Sequence, residues 1–180
     1  MKKVAYLIIF FIILTACAPV FKKEIMESAL INVPLSKVKQ ELPAYRDRMF
    51  ILGGLIVTTK ISEKGSLIEA INIPVDSFGR LKDIRLAEGR FLAIMPYERG
   101  FLDPLIYRQG RYITIAGRLI EIKTGKIDEI EYHYPLFEII DIHLWEERKD
   151  YIVLPPSYPY WYDPFWYDPW WRRYPYPPWW

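Results

Sequence analysis

Four kinds of residue in this chain could do chemistry, and their spacing limits what that chemistry is. Cys17 is the one thiol. His133 and His143 are ten residues apart, which matches no common metal-ligand spacing, and they read as histidines on or near a strand. The six serines sit outside any Gly-x-Ser-x-Gly, and no Gly-x-Gly-x-x-Gly or Walker-type loop occurs. Asp103 precedes Pro104 and reads as a helix N-cap rather than an acid catalyst. Asp128, Glu129 and Glu131 read as the solvated face of a turn and strand. An enzyme needs a nucleophile with its base, a metal cluster or paired carboxylates in a cleft. None is signalled, so the expectation is a protein without catalytic activity, metal or cofactor.

Arginine is the remaining candidate. Gly79-Arg80, Gly89-Arg90, Gly110-Arg111 and Gly117-Arg118 repeat one dipeptide. Each pair can be a turn glycine followed by a solvated charge at a strand start. The sharper reading gathers Arg90, Arg111 and Arg118 on one binding face. Guanidinium pairs well with phosphate and carboxylate, so the ligand there would be an anionic glycan, lipid headgroup or peptide.

The thiol has a context of its own. Ahead of Cys17 lie a basic start, Lys2-Lys3, and an apolar run from Val4 to Leu14. Eleven residues suit a signal-peptide core and are too few to cross a bilayer as a helix. Leu14-Thr15-Ala16-Cys17 resembles the lipobox of bacterial lipoproteins, where the thiol is diacylated, the leader is cut before the cysteine, and the new terminus is acylated too. The alternative is an ordinary secretory signal that contains a cysteine. With acylation, Cys17 is the lipidation site and carries palmitate-type chains. At ~0.8 kcal/mol per buried methylene, three chains exceed by far the two-signal threshold for stable anchoring. Ala18 stands where an aspartate would mark inner-membrane retention, which favours a lipid-anchored outer-membrane protein facing the periplasm.

The leader 1–16 holds two lysines and no acid, so the rest of the chain has equal numbers of basic and acidic side chains. Nothing in that balance asks for a nucleic-acid partner. Once Cys17 is acylated no thiol remains for a disulfide, and the domain must be stable by packing alone.

Three zones follow the leader. Residues 17–48 read as a lipidated N-terminus and tether, with two turns of helix at most between Pro34 and Pro43, where Leu35, Val38 and Leu42 share a face. Residues 49–150 read as a β domain. Strands are expected near Phe50 to Ser62, Ser66 to Ile73, Arg90 to Met95, Arg111 to Ile122 and Ile127 to Leu144, the last interrupted at Pro135. Ile113, Ile115 and Leu119 alternate with Tyr112, Thr114 and Arg118, and Ile120 and Ile122 break that phase as a bulge would. Gly53-Gly54 suits a place where a small barrel bends. One short helix is expected to begin near Asp103. The order β-β-β-α-β-β fits a mainly β fold, a small five-stranded OB-like barrel, with an open antiparallel sheet as the competitor.

Residues 151–180 have a different composition. They hold six of the seven tryptophans, half of the tyrosines and eight of the fifteen prolines. Trp161-Tyr162-Asp163-Pro164-Phe165 is followed by Trp166-Tyr167-Asp168-Pro169-Trp170, a tandem repeat, and then by Trp171. Dense proline forbids regular helix and central strand, so a disordered low-complexity tail is expected. Its aromatic side chains suit a membrane interface or a glycan or protein partner.

The residues of the β domain carry a family resemblance. Gly53-Gly54, Pro74-Val75-Asp76, Gly89-Arg90-Phe91 and Phe101-Leu102-Asp103-Pro104 occur in order. Tyr107, Gly110-Arg111, Ile113-Thr114, Gly117, Tyr132-His133-Tyr134-Pro135 and Leu144-Trp145 follow. Together, over roughly Ser28 to Trp145 behind the lipobox, they resemble the starvation-inducible outer-membrane lipoprotein (Slp) family; Leu52 departs from the aromatic expected before the glycine pair. The resemblance implies an outer-membrane lipoprotein of stress or stationary phase and supplies no catalytic residue. The expected function is a structural or stress-protective role in the cell envelope, with an anion-binding module as the alternative.

Overall fold

The computed structural model describes residues 18–147; residues 1–17 and 148–180 lie outside it. Five strands carry the described body: β2 (Met49–Ser62), β3 (Gly65–Ile73), β4 (Arg90–Pro96), β5 (Tyr112–Ile127) and β6 (Ile130–Leu144). Their order is β2-β3-β4-β6-β5, and β5 pairs back onto β2, with Met49 opposite Arg118 and Leu55 opposite Tyr112. The sheet therefore closes into a five-stranded barrel. All contacts are antiparallel except β4 with β6, where Leu92 faces Leu136. A two-residue strand, β1 (Leu30–Ile31), adds in parallel outside β2.

Period-two patterning explains the closure. Phe50, Leu52 and Ile56 of β2 point inward with Ile68 and Ala70, Phe91, Ala93 and Met95, Ile113, Ile115 and Leu119, and Phe137 and Ile139. Phe137 meets Phe50 at 5.3 Å and Phe91 at 5.9 Å between ring centroids, both edge to face, the favoured aromatic arrangement. Extra residues at Val57, Ile120 and Ile140 shift the register and coil the long strands, as the broken phase at Ile120 leads one to expect. Gly53 lies where a Cβ would run into the Ile73 carbonyl and the Val75 side chain, so its smallness permits the wall to be covered from outside.

Both ends of the barrel are stoppered. At the β2-start end, α2 (Leu35–Gln40) inserts Leu35 and Val38 into the core, followed by α3 (Leu42–Tyr45), which Pro43 opens. At the other end Leu102 is buried, its N–H donating to Ser66 Oγ at 3.1 Å. The segment before α2 packs on the outer wall: Phe21 is buried, α1 (Lys23–Ser28) follows, and Ile25, Met26 and Ile31 cover Ile51 and Ala116. β2 is thus apolar on both faces, which is why its sequence reads as an almost unbroken run.

Two expectations are corrected. The helix expected at Asp103 is a single turn. Asp103 Oδ1 does accept the Leu105 N–H at 2.8 Å, but Thr59 Oγ1 takes the Tyr107 carbonyl at 2.6 Å and ends the turn. The helices lie ahead of the barrel instead, with a 3-10 turn at Ile84–Leu86. Pro135 does not interrupt β6. Pairing of β6 with β4 begins only at Leu136, so Pro135 sits where the strand has one neighbour and a missing N–H is tolerated.

Beyond Arg118 and before Leu136, β5 and β6 continue as a two-stranded arm turning at Asp128, which takes φ 54°. The arm curls over the outer face of β3 and β4. Ile120, Ile127, Tyr132, Tyr134 and Leu136 pack on Leu67, Leu92 and Ile94.

Candidate functional site

The three candidate arginines do not share a face. Arg90 opens β4 and pairs with Glu69 of β3 at 2.8 Å; Tyr134 Oη donates to the same carboxylate oxygen at 3.3 Å. Glu69 holds the Arg90 guanidinium charged, and burial, with Glu69 beside it, pushes the Tyr134 phenol above its ordinary 10.0. Arg111 immediately precedes β5, which β6 separates from β4. It donates to the Trp145 carbonyl at 3.0 Å and faces Glu147 at 3.5 Å. Arg118 is exposed on β5, with no ion pair among the described residues. Gly79, Gly89 and Gly110 have positive φ, as turn residues before a charge would, whereas Gly117 is within a strand. The dipeptides are mostly turn chemistry.

In five-stranded Greek-key barrels the face of the second and third strands binds ligands. Here those strands are β3 and β4, and the arm roofs them. A groove of about 330 Å³ lies between α2 and the β4 start, lined by Leu35, Ser36, Lys39, Gln40, Glu88, Gly89 and Tyr132. Lys39 Nζ sits 4.0 Å over the Tyr132 ring, so the aromatic surface there is already taken. His133 and His143 lie on one strand about 34 Å apart by strand path, too far to share an ion. Among the described residues no cluster of histidine, aspartate and glutamate could hold a metal.

What the structure does bring together is the two ends of the described chain. The Val20 N–H donates to the Phe78 carbonyl at 2.8 Å, and Val20 packs on Gly79. The Gly79 carbonyl accepts from buried Thr114 Oγ1 at 3.0 Å, and that hydroxyl accepts from Trp145 Nε1 at 3.0 Å. Trp145 N–H reaches the Tyr112 carbonyl, and Glu147 is clasped by Arg108 and Arg111. The resemblance did point to Trp145; its role as a clamp was not signalled. Cys17 and the tail residues Trp161, Tyr162, Trp166, Tyr167, Trp170 and Trp171 lie outside the described residues.

Fold and contacts define a small closed β-barrel in which the first and last described residues lie close together. Residues 14–177 match the outer membrane lipoprotein Slp family, and the chain belongs to that family. The match is wider than the stretch from Ser28 to Trp145, taking in Leu14 to Cys17 and nearly all of the aromatic tail. An uncharacterized protein of Haemophilus influenzae is 34% identical over 95 residues, 52% of this chain and 50% of that protein, so the match spans about half of that relative. Among solved structures, one described as an aspartyl-tRNA synthetase from Leishmania major covers 80% of this chain and 26% of its own, at 13% identity and TM-score 0.37. Schizosaccharomyces pombe Pot1pC bound to single-stranded DNA covers 68% of this chain and 88% of its own, at 14% identity and TM-score 0.33. Likeness at that level carries no functional argument.

Proposed function

We propose that this member of the family is a lipid-anchored envelope protein, acylated at Cys17, that faces the periplasm from the outer membrane and serves a structural or stress-protective role without catalysis. One observation carries the reading. The packed body begins at Val20, three residues after the only thiol, so acyl chains on Cys17 would hold the barrel directly against the bilayer. The aromatic tail then acts beside a surface at high effective concentration, where weak contacts to a glycan, lipid or protein suffice. Metabolic labelling with a fatty acid tests the anchor: label is expected on wild-type protein and absent from Cys17→Ser. Unlabelled wild-type protein, or wild-type protein found mainly in the inner membrane on fractionation, would count against it.

Anion capture on the barrel is a second reading, favoured only by Arg118, which is exposed and has no ion pair among the described residues. Saturable binding of an anionic glycan, lipid or peptide that is lost in Arg118→Ala would support it; binding unaffected by that change would remove its ground.

A further inference from the structure

Nine large apolar side chains are exposed among the described residues, and six of them, Ile61, Tyr97, Phe101, Leu105, Ile106 and Tyr112, belong to one end of the barrel. That end is built by the β2–β3 turn and the loop from β4 to β5. Several contacts tie the six together. Thr59, on the same strand face as Ile61, donates to the Tyr107 carbonyl beside Leu105 and Ile106. Ser66, the register partner of Ile61, accepts from the N–H next to Phe101, and Gly65 pairs with Pro96 beside Tyr97. Leu105 is 83% exposed at the crest of the turn that Asp103 caps. A soluble surface does not gather its apolar side chains on one projecting loop without a partner.

We propose that this end is seated in the interface of the lipid bilayer, with Leu105, Ile106 and Phe101 dipping into the headgroup–acyl boundary. The inference rests on the anchor reading and goes beyond it by fixing which way the barrel stands. Where the described body begins and ends argues for lipid as the occupant. It ends at Glu147 in a clasp formed by Arg108 and Arg111 of this same loop, and it begins beside Gly79, one hydroxyl away from Trp145. Charge here is mixed, Lys60 and Lys64 with Glu63 and Glu98, so apolar burial rather than headgroup charge drives the contact. The opposite end, stoppered by α2, shows Lys37, Glu41 and Arg46 to water. The arm runs toward that opposite end, where Tyr132 accepts from the Arg90 N–H at the β4 start and lies beneath Lys39 of α2.

The test uses full-length protein purified with its lipid and placed in phosphatidylethanolamine–phosphatidylglycerol vesicles that contain nitroxide-labelled phosphatidylcholine. Acylation blocks Cys17, so a cysteine introduced by Leu105→Cys or Glu129→Cys is the sole thiol open to an environment-sensitive fluorophore. The label at 105 is expected to shift to the blue and lose most of its emission to the nitroxide, while the label at 129 stays unchanged. Negligible quenching at 105 in protein that carries fatty-acid label overturns the seating and leaves the anchor intact. Protein without fatty-acid label overturns the anchor and this inference with it. A blue shift at 105 without nitroxide quenching also overturns the seating: loss of the shift after truncation at Asp150 then assigns the patch to the tail, and its loss on dilution to a second copy.

Discussion

Thr114 and Trp145, thirty-one residues apart, are joined by one hydrogen bond from the indole N–H to a hydroxyl that is itself fully buried. The hydroxyl works in both directions, accepting from Trp145 and donating to Gly79. Thr114→Val keeps the shape and removes both bonds, leaving a donor and a carbonyl without partners. It is expected to cost about 1–3 kcal/mol, against little for Thr114→Ser. Urea unfolding of the two variants checks the difference.

Ile115 is wholly buried among Leu52, Ile139 and the central phenylalanines. Ile115→Ala should cost about 2–5 kcal/mol, because a barrel stoppered at both ends has little freedom to collapse around the lost atoms. A shift in urea midpoint at unchanged slope is the expected result; a change under half a kcal/mol would contradict the packing.

Alkali should weaken the fold. The Tyr134 and Tyr107 phenols are both pushed above 10.0, burial being the first cause in each. The unfolded chain therefore releases these protons first. Their contribution is fully present below 10.0 and falls away as pH rises toward the folded-state values. Tyr134→Phe should flatten that decline while costing some stability at neutral pH, since the phenol's single O–H is shared between the Glu69 carboxylate and the Lys126 carbonyl. Denaturation midpoints on either side of the transition give the comparison.

Truncation separates the clamp from the tail. Ending the chain after Asp150 keeps Trp145 and Glu147, and should leave the urea midpoint of the barrel unchanged. Ending it after Leu144 removes Trp145, with its indole bond to Thr114 and its backbone N–H bond to the Tyr112 carbonyl, at a cost of about 2–4 kcal/mol. Equal midpoints for the two truncations would show that the clamp adds nothing.

Much of the barrel was legible because its strands carry their own pattern. Ile113, Ile115 and Leu119 show the inward face without reference to any neighbour. Asp103 is a cap, as its place before Pro104 leads one to expect, but it caps a single turn and starts no helix. What ended the turn was Thr59, forty-eight residues distant from the carbonyl it binds, and no local propensity contains that information. Pro135 misled for a similar reason, since its tolerance depends on where β4 stops pairing. The packing of Phe21 and α1 on the outer wall was hidden because an apolar segment near a terminus announces burial but not its site. The dispersal of Arg90, Arg111 and Arg118 could be seen only once strand order placed them around the barrel.

The arm of β5 and β6 carries a risk that its neighbours in the barrel do not. Among the described residues its outer edges lack a third strand, and molecules held to one surface, as the proposed acylation of Cys17 would hold them, meet one another far more often than molecules in free solution. Unpaired edges brought together in two dimensions would zip into continuous sheets. Lys123, Lys126, Glu121 and Glu131, all exposed along this stretch, keep such a seam from closing. Neutralising all four should leave each copy folded and make a crowded layer of them coalesce.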